Sequence, residues 1–393
     1  MPGNIFFRVV LGVYVSMNSY MFVRLFFTLA GSGLLRGIAS AVFLIFALSF
    51  PASRLLSGIL PSPVSDFLSV MGYLYLGPMI YGFLLTLAAD FLRILNYQMT
   101  ITPNPPPYTL SGREGVITLI VALSLVISLA GAVNTMFPAP VDIDVEWDGP
   151  SYRGSVSIAL VSDIHLGKLV GPGHLRRIAE LINSRSPDIV LIAGDSIDSS
   201  EWLRMQGRRS AAASILASLE PRLGVWAIPG NHDYYAGIEE SVHFLEDCGV
   251  RVLRDEWAAP GGELILIGRD DLSVTMYGRS DGRRSLREIT AEAARTWGVR
   301  NLPVVVLDHQ PFNLDEAAES GADLQLSGHT HRGQIFPVNF IVAAIYEKHY
   351  GQYAKDGTRY YITSGAGTWG PPMRTIGRPE VVFINLHPRR QTQ

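Results

Sequence analysis

The stretch Leu324–Gln334, with the sequence LQLSGHTHRGQ, joins a short apolar run to two histidines that flank a threonine. A short apolar run that ends at a turn residue is typical of a buried strand. His329 and His331 would then follow the end of a strand, which is where an α/β protein collects the side chains of its functional site. Isolated histidines at such positions are usually capping or surface groups, so the interpretation depends on what else the chain places at strand ends.

Further short motifs precede this stretch, and each again places Asp, Asn or His directly after an apolar run. In chain order they are Asp163-Ile164-His165, Gly194-Asp195-Ser196-Ile197-Asp198, Gly230-Asn231-His232-Asp233 and Asp308-His309-Gln310. Together they supply enough oxygen and nitrogen atoms to hold two neighbouring metal ions. Imidazole and carboxylate ligands suit zinc, iron and manganese. The single cysteine, Cys248, lies away from every motif, and we expect it to be a half-buried hydrophobic residue.

Two adjacent divalent ions are suited to the hydrolysis of phosphate esters. At a separation of roughly 3.5–4 Å they activate a water molecule and stabilise the negative charge that develops on the phosphoryl oxygens. The set of motifs therefore favours a two-metal phosphoester-cleaving site. It leaves the identity of the metal open.

The order and spacing of these motifs resemble those of the calcineurin-like metallophosphoesterase superfamily, and the resemblance extends from about Ser155 to Leu386. It implies ligands for two metal ions: Asp163, His165 and His331 for the first, Asn231, His309 and His329 for the second, and Asp195 as the bridge. It also implies that His232 does not bind metal but protonates the leaving oxygen or stabilises the transition state. Asp233 would orient His232, and Asp198 would brace the turn at Gly194.

Apolar runs in this part of the chain predict an α/β domain. The predicted strands are Ser157–Ser162, Ile189–Ala193, Val225–Ile228, Leu264–Ile267, Val304–Leu307, Leu324–Leu326, Tyr360–Thr363 and Val381–Leu386. The predicted helices are Leu175–Ser184, Ser210–Leu219, Ile238–Asp247, Leu286–Trp297 and Leu314–Ser320. The resemblance implies that the strands form two packed mixed β-sheets flanked by helices, with the metal ions at one edge.

The first third of the chain has a different, apolar composition. A helix that crosses a bilayer needs roughly 20 mostly apolar residues, and the candidate spans are Ile5–Ala30, Leu34–Phe50, Phe67–Leu92 and Gly115–Met136. A cleaved signal peptide is the alternative for the first span, and a soluble helical bundle is the alternative for the others. Successive spans with short loops disfavour both, so we expect a multi-span α-helical membrane region of about four helices.

The predicted organisation is a membrane region at 1–136, a stiff linker at 137–154 and a catalytic domain at 155–388. Arginines near the predicted loops slightly favour cytoplasmic first and third loops, with Arg24, Arg36, Arg93 and Arg113 on that side and Arg8, Arg54 and Arg153 on the other. The catalytic domain would then lie outside the cytoplasm. The formal net charge of −3 gives no electrostatic footprint for nucleic acid.

Two segments suggest the kind of substrate. Ser327–Gln334 and Ser364–Pro372 resemble membrane-linked bacterial branches of the superfamily, close to the hydrolases of UDP-diacylglucosamine. Near these segments, Arg332 and Arg374 are candidates to neutralise a substrate phosphate, and Trp369 is a candidate to stack on a sugar or base. Solvated surface arginines and a packing tryptophan are the alternatives.

The apolar segment Ile335–Tyr346 follows the two histidines almost directly. It is either a flap that touches the membrane or an acyl chain, or an ordinary core or interface segment.

The expected function is therefore hydrolysis of phosphoester or pyrophosphate bonds by a membrane-bound enzyme with two divalent metal ions. The expected partners are the lipid bilayer and a phosphorylated, lipid-linked or envelope substrate. A narrower alternative is a UDP-2,3-diacylglucosamine pyrophosphatase with a cytoplasmic active site. A non-catalytic membrane sensor or scaffold is the alternative of a different class, and the retention of every expected ligand disfavours it.

Overall fold

The computed structural model describes residues 2–28, 33–56, 59–99, 110–148, 154–277, 282–297 and 302–389. The chain divides into two compact units. The first comprises Met1–Val133 and Gly370–Met373, and the second comprises Asn134–Trp369 and Arg374–Gln393.

Long apolar helices make up the first part of the chain: α1 (Pro2–Thr28), α2 (Gly33–Leu55), α3 (Ser62–Met99) and α4 (Leu110–Thr135). All four are long and apolar enough to cross a membrane, with hydropathic stretches at Arg8–Phe26, Gly33–Leu55, Pro63–Asn96 and Gly115–Thr135. Residues 29 and 30 of the expected first span lie outside the described residues. Helices α2 and α3 approach closely at Gly72, where a side chain would collide with the backbone of Phe50. The expected number of apolar helices is confirmed.

The second unit contains the remaining elements. Its strands are β1 (Ala139–Trp147), β2 (Val156–Val161), β3 (Ile189–Ala193), β4 (Val225–Ile228), β5 (Arg251–Val252), β6 (Glu256–Ala258), β7 (Ile265–Gly268), β8 (Val304–Leu307), β9 (Leu324–Ser327), β10 (Gly351–Lys355), β11 (Thr358–Ile362) and β12 (Glu380–Pro388). Its helices are α5 (Pro172–Arg185), α6 (Ser200–Leu203), α7 (Gln206–Leu216), α8 (Asn231–Ala236), α9 (Ile238–Asp247), α10 (Val274–Tyr277), α11 (Leu286–Trp297), α12 (Asp315–Ser320) and α13 (Val338–Ile345). Short 3₁₀ turns occur at Pro260–Gly262 and His331–Gly333.

The strands form two mixed six-stranded sheets, in the orders β1-β12-β2-β3-β4-β5 and β10-β11-β9-β8-β7-β6. In the first sheet β2, β3, β4 and β5 run parallel, and β12 is antiparallel to β2. In the second sheet β7, β8, β9 and β11 run parallel, and the edge strands β6 and β10 are antiparallel to their neighbours. The predicted class, two packed mixed sheets flanked by helices, is confirmed.

Burial along β2 shows how the sequence produces these layers. Ile158 and Leu160 point into the core between the two sheets, whereas Ala159 and Val161 point into a core shared with helices. Because successive side chains of a strand face opposite sides, a strand covered on both faces must be apolar throughout. A further core, with Ile289 of α11, covers the outer face of the second sheet.

The segment expected to be a linker contains a strand instead. Strand β1 pairs in parallel with β12 over its whole length, from Ala139 opposite Glu380 to Trp147 opposite Pro388. Its side chains alternate, so that Ile143 and the tryptophan are buried while the acidic residues between them face outward. This alternation is the pattern of an edge strand with one solvated face, and the acidic residues and prolines concealed it. Residues 149–153 of the expected linker lie outside the described residues.

Candidate metal centre

The motif residues lie at the carboxyl ends of strands from both sheets. Asp163, Asp195 and Asn231 follow the parallel strands β2, β3 and β4, and His309 and His329 follow β8 and β9. Parallel strands end at the same edge of their sheet, so the packing of the two sheets brings these loops together. The structure thus gathers all the expected metal ligands in one place.

Several of these residues have a backbone conformation that side chains disfavour. Asp163, His165, Asp195, His329 and His331 have φ values of 54°, 52°, 52°, 67° and 49°. Residues other than glycine seldom adopt positive φ, and such strain collects at functional sites. The loops are held by bonds from the Asp163 and His165 amides to the carbonyls of Gly194 and Asp195, both 3.0 Å long. The backbone conformation and these hydrogen bonds therefore fix the positions of the ligand-bearing loops.

The first group of ligands consists of Asp163, His165 and His331. The Nε2 atoms of the two histidines lie 3.0 Å apart, and the His331 Nε2 atom lies 3.6 Å from Oδ1 of Asp163. The carboxylate and the His165 side chain are almost completely buried. Two imidazole nitrogens and a carboxylate oxygen that converge in this way form a donor set suited to a divalent transition metal.

The second group consists of Asp195, His309 and His329. Oδ2 of Asp195 lies 3.2 Å from Nε2 of His309 and 3.7 Å from Nε2 of His165, so this carboxylate adjoins both groups. Its other oxygen, Oδ1, accepts a 2.7 Å hydrogen bond from the backbone amide of His232. The position of Asp195 is that of a ligand able to bridge two ions.

Unsatisfied polar atoms test whether this donor set fits a metal ion. Within the described part of the chain, the buried atoms Oδ1 of Asn231, Nε2 of His309 and Nδ1 of His329 have no hydrogen-bond partner. Leaving a buried polar atom unpaired costs about 1–3 kcal/mol. Nδ1 of His309 lies 2.7 Å from the carbonyl oxygen of Ala193, to which it can donate. In the neutral tautomer that carries this proton on Nδ1, the Nε2 lone pair is the one available to a cation. These residues fit a bound cation.

Electrostatics give two of the ligands, Asp195 and His329, charge states that suit a metal ion. Burial opposes ionisation of Asp195, but His309 and then His232 hold the pKa of this carboxyl well below its ordinary value. Burial, followed by the nearby charge of His309, lowers the pKa of His329 to about 3. The site thus combines an ionised carboxylate with a neutral imidazole, which are the forms that bind metals.

His232 lies beside the two groups. Its Nδ1 atom is 3.1 Å from Oδ1 of Asp198, and its ring stacks edge-on against Trp369 at a centroid distance of 5.5 Å. Burial lowers the pKa of His232, but the charges of Asp195 and Asp198 outweigh it and raise the pKa above its ordinary value. This shift favours the protonated imidazole, which is the form that a general acid requires.

The expected roles of Asp233 and Asp198 are exchanged. The Asp233 carboxylate accepts hydrogen bonds from the amides of Gly230 at 2.8 Å and Ile197 at 2.9 Å, so it braces the loop after β3 rather than orienting His232. The reason is its place in the first turn of α8, where an acidic side chain folds back onto the amide that precedes the helix. Asp198 is the carboxylate beside His232.

Arg374 does not face a substrate, and the expectation that it neutralises a phosphate is wrong. Its side chain is only 1% exposed. Its Nη2 atom donates to the carbonyls of Ser364 at 2.6 Å and Gly367 at 2.7 Å, and it lies 3.1 Å from Nδ1 of His331. Burial lowers the pKa of Arg374 to about 10, which still leaves it charged at neutral pH. Arg374 thus supports the candidate metal ligand His331 through Nδ1 of its ring.

The other two expected substrate contacts lie at the surface of the site. The Arg332 guanidinium stacks over the ring of Tyr350, 4.2 Å from its centroid. Trp369 is 49% exposed and touches His232 with its ring. Trp369 is thus open to a ligand, and contact of either residue with substrate stays a prediction.

The segment Ile335–Tyr346 is largely helix α13, and apart from the buried Ile335 its side chains are half-buried or exposed. Phe340 and Ile341 are 63% and 62% exposed, and α13 has no buried residue. The core alternative is therefore wrong for Val338–Ile345, whereas the choice between a membrane-touching or acyl-binding flap and an interface segment stays a prediction. Its C-terminal neighbour Tyr346 contacts the ring of His329 at 6.2 Å and that of Phe312 at 4.7 Å.

Further exposed apolar side chains lie around the site. Tyr235 stacks on His232 at 5.2 Å and on Tyr277 at 5.7 Å. We call Tyr235, Tyr277, Phe312, Tyr346 and Trp369 the aromatic rim. The sequence interpretation missed Tyr235, Tyr277 and Phe312 because they lie in separate loops or short helices that share no motif.

Comparison with known proteins assigns the family. Residues 156–333 match the calcineurin-like phosphoesterase family model. An uncharacterised metallophosphoesterase of Aquifex aeolicus is 35% identical over 235 residues, which cover 59% of this chain and 85% of that protein. A zebrafish (Danio rerio) transmembrane protein with a metallophosphoesterase domain is 34% identical over 288 residues, 70% of this chain and 63% of that protein. An uncharacterised metallophosphoesterase of Campylobacter jejuni is 30% identical over 313 residues, which cover 77% of this chain and 78% of that protein.

The chain belongs to the calcineurin-like metallophosphoesterase family. It spans 63% of the length of the zebrafish relative, and 61% of that of a Helicobacter pylori metallophosphoesterase that is 33% identical.

Proposed function

We propose that this protein hydrolyses phosphoester or pyrophosphate bonds of a lipid-linked or cell-envelope substrate with two divalent metal ions. The observation that carries the proposal is the convergence of two buried donor groups from separate loops, with Asp195 adjoining both. Two buried nitrogens of the second group, on His309 and His329, and Oδ1 of Asn231 have no hydrogen-bond partner in the described residues, and bound cations would satisfy them.

The residues would divide the work as follows. Asp163, His165 and His331 would hold one ion and Asn231, His309 and His329 the other, with Asp195 between them. Bound there, two such ions supply an activated water and charge stabilisation for the phosphoryl group. His232 would donate its proton to the leaving oxygen, and Asp198, 3.1 Å from its Nδ1 atom, would fix the orientation of the ring.

The surface around the site supports a substrate with an apolar part. The exposed large apolar side chains described between residues 154 and 389 fall in only a few segments: Tyr235, Leu272, Met276, Tyr277, Phe312, Phe336, Val338, Phe340, Ile341, Ile345 and Trp369. Several of them belong to the aromatic rim, and the others lie on α10 and α13 or beside them. Concentrated apolar exposure of this kind marks binding surfaces. Acyl chains of a lipid-linked substrate are suited to it.

A narrower candidate is a UDP-2,3-diacylglucosamine pyrophosphatase. The exposed apolar helix α13 favours an acylated substrate and is compatible with this candidate. It differs from the main proposal in needing an active site on the cytoplasmic side, because UDP-linked precursors are found inside the cell. A non-catalytic scaffold is disfavoured because the chain retains every ligand of both groups.

The decisive experiment is a phosphate-release screen on metal-loaded, full-length protein in detergent, with Mn²⁺, Zn²⁺ or Fe²⁺ supplied. Extracted envelope lipids, nucleotide-sugars and a generic aryl phosphodiester are the substrates. We expect turnover of the aryl phosphodiester and faster turnover of one lipid fraction. The Asp195→Asn variant serves as the control. Equal, background-level release by both proteins on every substrate would favour the scaffold.

Orientation is tested separately. The arginine distribution around the spans favours an extracytoplasmic catalytic domain. A reporter that works only in the cytoplasm, fused after Gln393, should therefore be silent, and one that works only outside should be active. The opposite pair of signals would place the active site in the cytoplasm and favour the pyrophosphatase candidate.

A further inference from the structure

The first unit encloses a cavity of about 760 Å³ among α1, α2, α3 and α4. Its walls come from Met, Phe, Val, Ile and Leu side chains of these helices. The hydroxyl groups on the walls have partners within the helices. Thr86 donates to the carbonyl of Gly82 at 2.6 Å, Ser124 to that of Val121 at 2.9 Å, and Tyr75 to Oδ1 of Asn18 at 2.6 Å. The body of the cavity is thus apolar and large enough for a ligand, since ligand pockets are typically about 300–1,000 Å³.

Charged groups line only one end of this cavity. Arg24 pairs with Asp90, and Nη1 of Arg93 lies 3.1 Å from the same carboxylate oxygen. Arg24 and Arg93 lie near the C-terminal ends of α1 and α3. The described lining residues therefore carry two guanidinium groups and one carboxylate at this end. Both arginines lie near the ends of the hydropathic stretches Arg8–Phe26 and Pro63–Asn96. In helices that cross a bilayer, the ends of such stretches lie close to the lipid headgroups, where arginine side chains are favoured.

We propose that this cavity binds one anionic glycerophospholipid, with its phosphate at Arg24 and Arg93 and an acyl chain along the apolar walls. A guanidinium has five N–H donors in a planar fork, so an arginine that already pairs with Asp90 can also donate to a phosphate oxygen. The carboxylate holds the two guanidinium groups together and does not cancel their joint charge. The apolar walls select a membrane lipid over a soluble phosphate.

This binding site is independent of the hydrolytic site. None of its lining residues belongs to the metal centre or to the aromatic rim, and all lie within the first unit. Loss of lipid binding and loss of hydrolysis are therefore separable by mutation.

The test is a titration of delipidated, full-length protein in detergent, followed by native mass spectrometry. The probes are dioleoylphosphatidylglycerol, dioleoylphosphatidylcholine and dioleoylglycerol, with inorganic phosphate as a competitor. We expect one phosphatidylglycerol per chain, bound at least about tenfold more tightly than the other two lipids. Millimolar inorganic phosphate should not displace it. Displacement by phosphate alone would overturn the assignment to a lipid.

Variants locate the site. Arg93→Gln should lower the affinity for phosphatidylglycerol about tenfold and leave that for phosphatidylcholine unchanged. Ala39 lies on the wall of the cavity, so Ala39→Phe should lower the affinity for all three lipids without a change of charge. Arg54→Gln is the matched control, because it removes the same charge near the other end of α2, outside the cavity lining. If Arg93→Gln does not fold, Arg24→Gln replaces it, with the same expected loss of affinity for phosphatidylglycerol, because Arg24 pairs with the same carboxylate.

Two results would refute the proposal. One is equal affinity of the unaltered protein for the anionic and zwitterionic lipids, which would mean that the cavity holds bilayer lipid without selection. The other is an effect of Arg54→Gln as large as that of Arg93→Gln, which would mean that general surface charge is responsible.

Discussion

We call the buried side chains of the metal centre, among them Asp163, Asp195 and His309, its floor. The floor is polar, whereas the aromatic rim and α13 around it are largely exposed and apolar. In the floor, Asp163 and Asp195 are at most 2% exposed, and backbone amides hold them in place. On α13, by contrast, the side chain of Phe340 is 63% exposed. The floor is thus organised before a ligand arrives, while the surrounding apolar surface gains stability only when something covers it.

This contrast separates two kinds of mutational effect. Changes in the floor should affect metal binding and the chemical step for every substrate. Changes at the rim should affect only substrates that have an apolar part. Substitutions in the floor and then on α13 test this division.

Asp195→Asn should have the largest effect. This carboxylate adjoins both donor groups, so weakening it should release both ions and reduce activity by more than the roughly 10⁴-fold upper value for loss of a general acid. Elemental analysis of metal-loaded protein measures the stoichiometry, which should be two in the unaltered chain. His331→Ala is the comparison, since it should weaken chiefly the first ion. A stoichiometry near one that Asp195→Asn leaves unchanged would refute a binuclear site.

His232→Ala should come next. The imidazole lies beside the donor groups, and its raised pKa favours the proton that a general acid donates. Its loss should therefore lower kcat about 10²–10⁴-fold while both ions and the fold remain. Asp198→Asn should have a smaller effect of the same kind, because the ring would stay in place but lose the carboxylate beside Nδ1. Kinetics and metal content are measured on the same samples. Metal loss in proportion to activity would instead identify His232 as a ligand.

Arg374→Lys tests how the ligand His331 is held in position. The guanidinium holds His331 and the carbonyls of Ser364 and Gly367 together, and lysine cannot reproduce this fork. We expect the affinity for the first metal to fall about 10–100-fold, as is typical when a group that supports a ligand is lost. The second site should change less. Metal competition titrations measure both affinities.

The control for Arg374→Lys is Arg378→Lys, an exposed arginine in the same loop. It should alter neither affinity. Equal loss at both sites in Arg374→Lys, together with a large fall in Tm, would mean that the arginine supports the whole fold rather than the first site.

Much of the catalytic fold was predictable because its buried elements carry clear patterns. The predicted bounds of β3, β4, β8, α9 and α11 agree with the structure to the residue. The three strands are continuous apolar runs between turn residues, as strands covered on both faces must be. Strand β1 was missed since acidic residues occupy its solvated face, and β10, GQYAK, since it is a half-buried edge strand without an apolar run.

The metal ligands were predictable because they belong to short sequence motifs. The residues that support those ligands were not, because they come from distant parts of the chain. All the expected metal ligands lie together because the motifs place them at strand ends. The bracing role of Arg374 depends on contact with His331, which is 43 residues away along the chain. No spacing in the sequence indicates such a contact. The exchange of roles between Asp198 and Asp233 has the same origin, because loop packing decides which carboxylate reaches His232.

Replacing Phe340 and Ile341 with serine should have the smallest but most selective effect. Both side chains are more than 60% exposed, so the fold and the Tm should change little. A buried aliphatic or aromatic side chain contributes roughly 1.5–3 kcal/mol on transfer from water. Partial contact with an acyl chain or the bilayer should therefore raise KM for a lipid-like substrate about tenfold. Hydrolysis of a small soluble phosphodiester should stay nearly unchanged, because the metal ligands and His232 are untouched.

The matched control for this change is Ala343→Ser with Ala344→Ser, on the same helix. It introduces the same hydroxyl groups at exposed positions but removes little apolar area. KM for the lipid-like substrate should then stay close to that of the unaltered protein. If the Phe340 and Ile341 change reduced activity equally on both substrates, α13 would support the floor instead of binding lipid, and the division between floor and rim would fail. An effect confined to the lipid-like substrate would place recognition of the apolar part on α13, outside the metal centre.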